Sequence, residues 1–178
     1  MKHELQSTWS GHGFPPDLRC RVPENRLLGL VLEAVSQAGA DRAGREFRHG
    51  GEGFNFNQIL ATLGYAYLIG IYGSEDLAEQ LQSEPGLKYL CAGAAPDATV
   101  FRHFRRLHRG PLGVVLLRVL ARCAAEQVRE NHNPTAMLEL PSKPPASAPE
   151  PDLLLQCAVE AEARLARAVF ADMVALDV

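Results

Sequence analysis

The sequence is short of several things. No apolar run approaches the ~20 residues that a membrane-spanning helix needs, so a membrane is not an expected partner. Lys2 and Glu4 stand near the start with no apolar stretch behind them, so no leader peptide is expected. The four cysteines, Cys20, Cys91, Cys123 and Cys157, form no CxxC pair. They read as reduced thiols of a cytoplasmic protein. The six histidines show neither HExxH nor HxxxH spacing, so no metal site and no cofactor is expected. Cys91 and His103 are the only nucleophile and base types near one another, without an orienting motif, so the chain does not read as an enzyme. Acid is missing in one place. Residues 85–125 hold seven cations and a single acid, Asp97, whereas the chain as a whole carries a net charge of −3.

What is present is helical periodicity. Residues 1–23 read as an arm with Trp9, Phe14 and Pro15-Pro16. Pro23 opens a helix over 24–38 with a Leu28, Val31, Leu32, Val35 stripe, which Gly39 stops. Residues 39–53 are Gly-rich and carry Arg42, Arg45, Arg48 and His49. No GK[ST] follows and no strand precedes, so the spacing predicts a flexible basic loop instead of a phosphate-binding one. Asn57 is placed to cap a helix ending near Ile69 that is apolar almost all round, as suits the centre of a bundle. Ser74 is placed to cap a short helix from Glu75 to about Gln82, with Pro85-Gly86 as a turn before the apolar patch 87–90. Asp97 caps the helix 98–109. Pro111 starts a longer one to about Asn131, with a Leu112, Val115, Leu116, Val119, Cys123 stripe.

Residues 134–151 hold six of the twelve prolines and read as a semi-rigid linker. Residues 152–176 read as an Ala-rich amphipathic helix. Ala158, Ala161, Leu165, Val169, Met173 and Leu176 lie on one side, and Glu160, Arg164 and Arg167 on the other. That helix is free to pack on its own core or on a partner helix. No convincing strand is visible. The expected class is therefore all-α: a multi-helix bundle over 24–133, the linker, and the C-terminal helix of 152–178.

The basic stretch carries the functional reading. On the 98–109 helix, Val100, Phe101, Phe104 and Leu107 cluster on one side. Thr99, Arg102, Arg106 and Arg109 cluster on the other, with His103 and Arg105 flanking. Like charges at i, i+4 destabilise a helix by about 0.2–0.5 kcal/mol per pair. Arg102/Arg106 and Arg105/Arg109 are such pairs with no neighbouring Glu. Arg118 and Arg122 add cations on the following helix. Guanidinium groups match phosphates and guanine edges bidentately, so the row points to double-stranded DNA. The order helix, turn, short helix, loop, Arg helix suits a helix-turn-helix-like module.

The residues also resemble a known family. Leu63-Gly-Tyr-Ala-Tyr-Leu-Ile-Gly-Ile-Tyr-Gly-Ser-Glu-Asp-Leu77 resembles the "LLYAYLxGIxSSRxLE" segment of insertion-sequence transposases. Leu87-Lys-Tyr-Leu-Cys-Ala-Gly-Ala-Ala-Pro-Asp97 resembles their "FRYLAGGQxPD", and Thr99-Val-Phe-Arg-His-Phe-Arg-Arg106 their "STIxRFRR". Arg21-Val-Pro-Glu-Asn-Arg-Leu-Leu28 is similar to their opening "RVPxxHPLR". The stretch 20–110 thus resembles the InsH-type N-terminal domain, which precedes an RNase H-like DDE nuclease domain in those proteins.

The resemblance implies a DNA-binding domain for transposon ends, with Arg102, Arg105 and Arg106 as DNA-contacting positions. It implies that Tyr65, Tyr67, Leu68, Phe101 and Phe104 are core. Ala98 replaces the Ser before Thr, Ala95 the Gln, and Glu75-Asp76 the Ser-Arg of the pattern. About 65 residues after Gly113, with no strand-like run, are not expected to supply a nuclease and its three carboxylates. The expectation is a cytoplasmic, nucleoid-associated DNA-binding protein that works with a separately encoded transposase or as a homodimer through 152–176. The alternative is an interaction module, or a truncated remnant, whose DNA contact has decayed.

Overall fold

The computed structural model describes residues 13–38, 45–132 and 151–176. A short 3-10 turn, Leu18–Cys20, leads into α1, Glu24–Ala38. A two-stranded antiparallel hairpin follows, β1 (Glu46–His49) and β2 (Glu52–Asn55). The remaining elements are α2 (Phe56–Leu68), α3 (Ser74–Gln80), α4 (Pro85–Cys91), α5 (Ala98–Leu107), α6 (Arg109–His132) and α7 (Pro151–Leu176). The class is mostly α, as the periodicity predicts. No helix among the described residues is long and apolar enough to cross a membrane.

α2 is the axle. Ile59 through Leu68 are all buried, and α1, α4, α6 and α7 pack around it. Its cap is Asn55, not Asn57: the Asn55 Oδ1 accepts from the amides of Asn57 (3.0 Å) and Gln58 (3.2 Å). The helix starts earlier because β2 ends at Asn55. On α6 the predicted stripe of Leu112, Val115, Leu116, Val119 and Cys123 is buried throughout. Burial pushes the Cys123 thiol up to about 12 and the Cys157 thiol up to about 11, and all four cysteines are free thiols. Leu18 and Val22, from the expected arm, belong to the same core as α7's Cys157 and Leu165.

Four local expectations need correction. The flexible loop is in part the hairpin: Gly50 and Gly51 take φ of +59° and +90°, the geometry of a two-residue hairpin turn. Register then places Phe47 opposite Phe54, both buried. The patch 87–90 lies within helix α4, which Glu84 caps by accepting from the Leu87 amide at 2.7 Å, with Pro85 at its first position. Ser74 does not cap α3 but is its first residue, at position Gly73's C-terminal side. Leu107, expected among the buried aromatics, is exposed, because α5 ends there and α6 begins at Arg109. Residues 39–44 and all of the proline-rich linker except Pro151 lie outside the described residues.

α4 meets α2 through Gly86. A Cβ there would stand 2.6 Å from the Tyr65 ring. In an open helix Gly→Ala gains up to about 1 kcal/mol. Gly86→Ala is instead expected to cost about 1–3 kcal/mol by overpacking. Gly29→Ala, where nothing lies within 4 Å, is the control and should stabilise. Urea midpoints of the two variants give the comparison.

Candidate nucleic-acid interface

α5 is fixed at its start by Asp97, whose Oδ1 accepts from the Val100 amide (2.9 Å) and the Thr99 hydroxyl (2.6 Å). The hydroxyl and the amide hold the Asp97 carboxyl below its ordinary value. Val100, Phe101 and Phe104 are buried. Phe104 stacks edge-on against Phe47 of β1 at 5.0 Å and lies 5.0 Å from Phe56. These contacts hold the hairpin beside the helix.

The outer face of α5 carries Thr99, Arg102, His103 and Arg106. The hairpin extends it: His49 Nε2 lies 3.2 Å from the Thr99 hydroxyl, and its ring is 4.8 Å from that of His103. Arg106 is exposed and donates to His103 Nδ1 at 3.3 Å, which requires an unprotonated Nδ1. Arg102 is mostly covered and bonds Glu75 of α3 at 2.8 Å. Arg109, the first residue of α6, continues the row and bonds Glu162 of α7 at 2.7 Å. Sequence reasoning missed His49 as a neighbour of this row. The signal was available in Gly50-Gly51 between two short alternating runs.

Arg118 and Arg122 do not join the row. They meet α1, Arg118 at Gln37 and Arg122 at Glu33 (4.0 Å).

Arg105 is the larger correction. It is buried, not outward-facing. It lies i+4 from Phe101 and so shares the core side of α5. There it pairs with Asp172 of α7 and donates to the Tyr67 hydroxyl at 2.9 Å. Burial opposes its charge, but Tyr67 and Asp172 more than offset this, and its pKa stands above the ordinary value. Burial in turn pushes the Tyr67 phenol up to about 12 against the pull of Arg105. Asp172 also accepts from the Ser74 amide (2.7 Å) and hydroxyl (2.8 Å), so a residue 98 positions away caps α3.

Arg164, expected on the exposed side of α7, is fully buried. It donates to the carbonyls of Tyr67 (2.6 Å), Leu68 (3.2 Å) and Pro16 (3.0 Å), and to Glu160 at 2.8 Å. The buried face of α7 is therefore Cys157, Ala161, Arg164, Leu165, Ala168 and Asp172. Val169, Met173 and Leu176, from the predicted stripe, are exposed.

A mostly helical domain bearing a guanidinium row beside an aromatic-anchored hairpin is what the fold and site define. The Transposase domain (DUF772) family matches residues 16–107, just over half of the chain, and the chain belongs to that family. The match closes at the last residue of α5. Both α6 and α7, and with them Asp172, lie beyond it. No curated protein and no solved structure matches the chain.

Proposed function

We propose that the outer face of α5 binds duplex DNA, as a transposase-derived recognition or regulatory domain. The observation that carries this reading is the row of guanidinium groups Arg102, Arg106 and Arg109, with His103 among them and His49 of the hairpin beside it, on one face of a family member. In this reading α3 to α5 form a helix-turn-helix-like module, and α4 elaborates its connection. α5 is the groove-reading helix, and its arginines supply phosphate contacts. Arg105, Arg118 and Arg122 are left out of the contact set because of where they point. The reading gives these 178 residues no strand-transfer chemistry. Among the described residues, no group of three or more His, Cys, Asp or Glu side chains is placed to hold a metal ion.

Each neutralised phosphate contributes about −0.9 to the slope of log K against log salt. Arg102→Ala/Arg106→Ala is therefore expected to weaken binding to duplex DNA and flatten that slope by about 2. Fluorescence anisotropy at several salt concentrations reads both. A double variant with the parent's affinity and slope would remove α5 as the site.

Glu75 and Glu162 favour a second reading, an interaction module that works beside a separately encoded transposase. They already pair with Arg102 and Arg109. Glu75→Gln separates the two: under the first reading it frees Arg102 and tightens DNA binding, and under the second it changes nothing.

A further inference from the structure

α7 has two apolar faces. The second points away from the core. On it Leu155, Val159, Phe170, Met173 and Val174 are 65%, 64%, 68%, 58% and 49% exposed. At 100° per residue these five, with Ala163 and Ala166 between them, form one stripe roughly opposite Arg164. An ordinary surface helix is polar on that side. Here Glu162 and Arg167 border the stripe, one at each edge, each held by a counter-charge of the same chain, Arg109 and Glu160, and Asp152 stands at its N-terminal end.

We propose that this stripe is the seam of a homodimer, in which α7 packs antiparallel on α7 of a second copy. The shape is self-complementary. Bulky residues stand at both ends and alanines at the waist. A two-fold axis through the waist sets Val159 of one copy opposite Phe170 of the other. The same axis sets Leu155 opposite Val174 and Ala163 opposite Ala166, so the waist allows close approach. The stripe is nearly neutral and offers a nucleic acid or a charged peptide nothing to pair with. At roughly 100–150 Å² for each large exposed side chain, one copy contributes on the order of 600 Å². Two copies bury about 1,200 Å², the lower edge of a specific interface, so the dimer forms in a concentration-dependent manner.

The test is sedimentation velocity of the full chain across the micromolar range. The parent mass is expected to rise from 19.4 kDa towards twice that value. Val159→Glu/Phe170→Glu should stay at the single-chain mass. Tyr89→Glu, at an exposed apolar position on α4, should behave as the parent does. Ala166→Arg is the second seam variant, for use if the double variant fails a far-UV circular dichroism check of folding. A parent that stays monomeric throughout would overturn the proposal. So would a dimer that both seam variants leave intact.

Discussion

Asp172→Ala is expected to lower the unfolding free energy by about 3–5 kcal/mol, because it leaves a buried guanidinium without its partner. Arg105 and Asp172 are both under a tenth exposed. Taking two charges out of water is costly, and the pair is tolerable only because both carboxylate oxygens find donors. Asp172 accepts from Arg105 and twice from Ser74, and Arg105 also reaches Tyr67. Removing the carboxylate strands Arg105 and uncaps α3 together. Asp172→Asn keeps a cap acceptor for Ser74 but loses the charge, so an intermediate loss is expected. Replacing both partners by apolar residues, Arg105→Met/Asp172→Leu, should recover much of the stability, because no buried charge remains. Urea unfolding followed by circular dichroism gives the three values. A double variant as unstable as Asp172→Ala would show that the pair is not the unit.

Arg164→Met is the second large effect, also about 3–5 kcal/mol. The guanidinium sits at the C-terminal end of α2, where carbonyls lack intrahelical donors and the helix dipole places partial negative charge. It bonds the Tyr67 and Leu68 carbonyls and those of Pro15 and Pro16, so one side chain ties α7, α2 and the N-terminal segment together. Methionine fills the volume but offers no donor. Four buried or part-buried carbonyls then lose a partner. Arg164→Lys keeps the charge but lacks the planar fork that reaches several acceptors at once, so it should recover only part of the loss. Limited proteolysis of Arg164→Met should release α7 before the rest of the chain is cut. Simultaneous cutting would argue against α7 as a separately anchored element.

Much of this was legible in the sequence. Asp97 before Ala98-Thr99-Val100 announced a helix start, and the 3.6-residue spacing of Leu112, Val115, Leu116, Val119 and Cys123 announced the buried side of α6. The near-complete absence of polar residues in 59–68 placed α2 at the centre. The family resemblance covered the residues that the family match then covered. The hairpin was misread because its alternating runs are only four residues each, too short for periodicity to separate from a loop.

The guanidinium groups mark where the sequence stops. Composition and spacing determined that 85–125 is basic, that α5 is amphipathic, and that Thr99, Arg102 and Arg106 share its outer face, with His103 and Arg105 at its flanks. They did not determine that Arg105 and Arg164 are core residues. Periodicity gives only an angle about one helix axis. Whether a charge at the border of an apolar face turns inward depends on finding a counter-charge or a row of carbonyls there. For Arg105 that partner is 67 residues away, and for Arg164 the α2 carbonyls are 96 and 97 away. Only the folded chain brings them together.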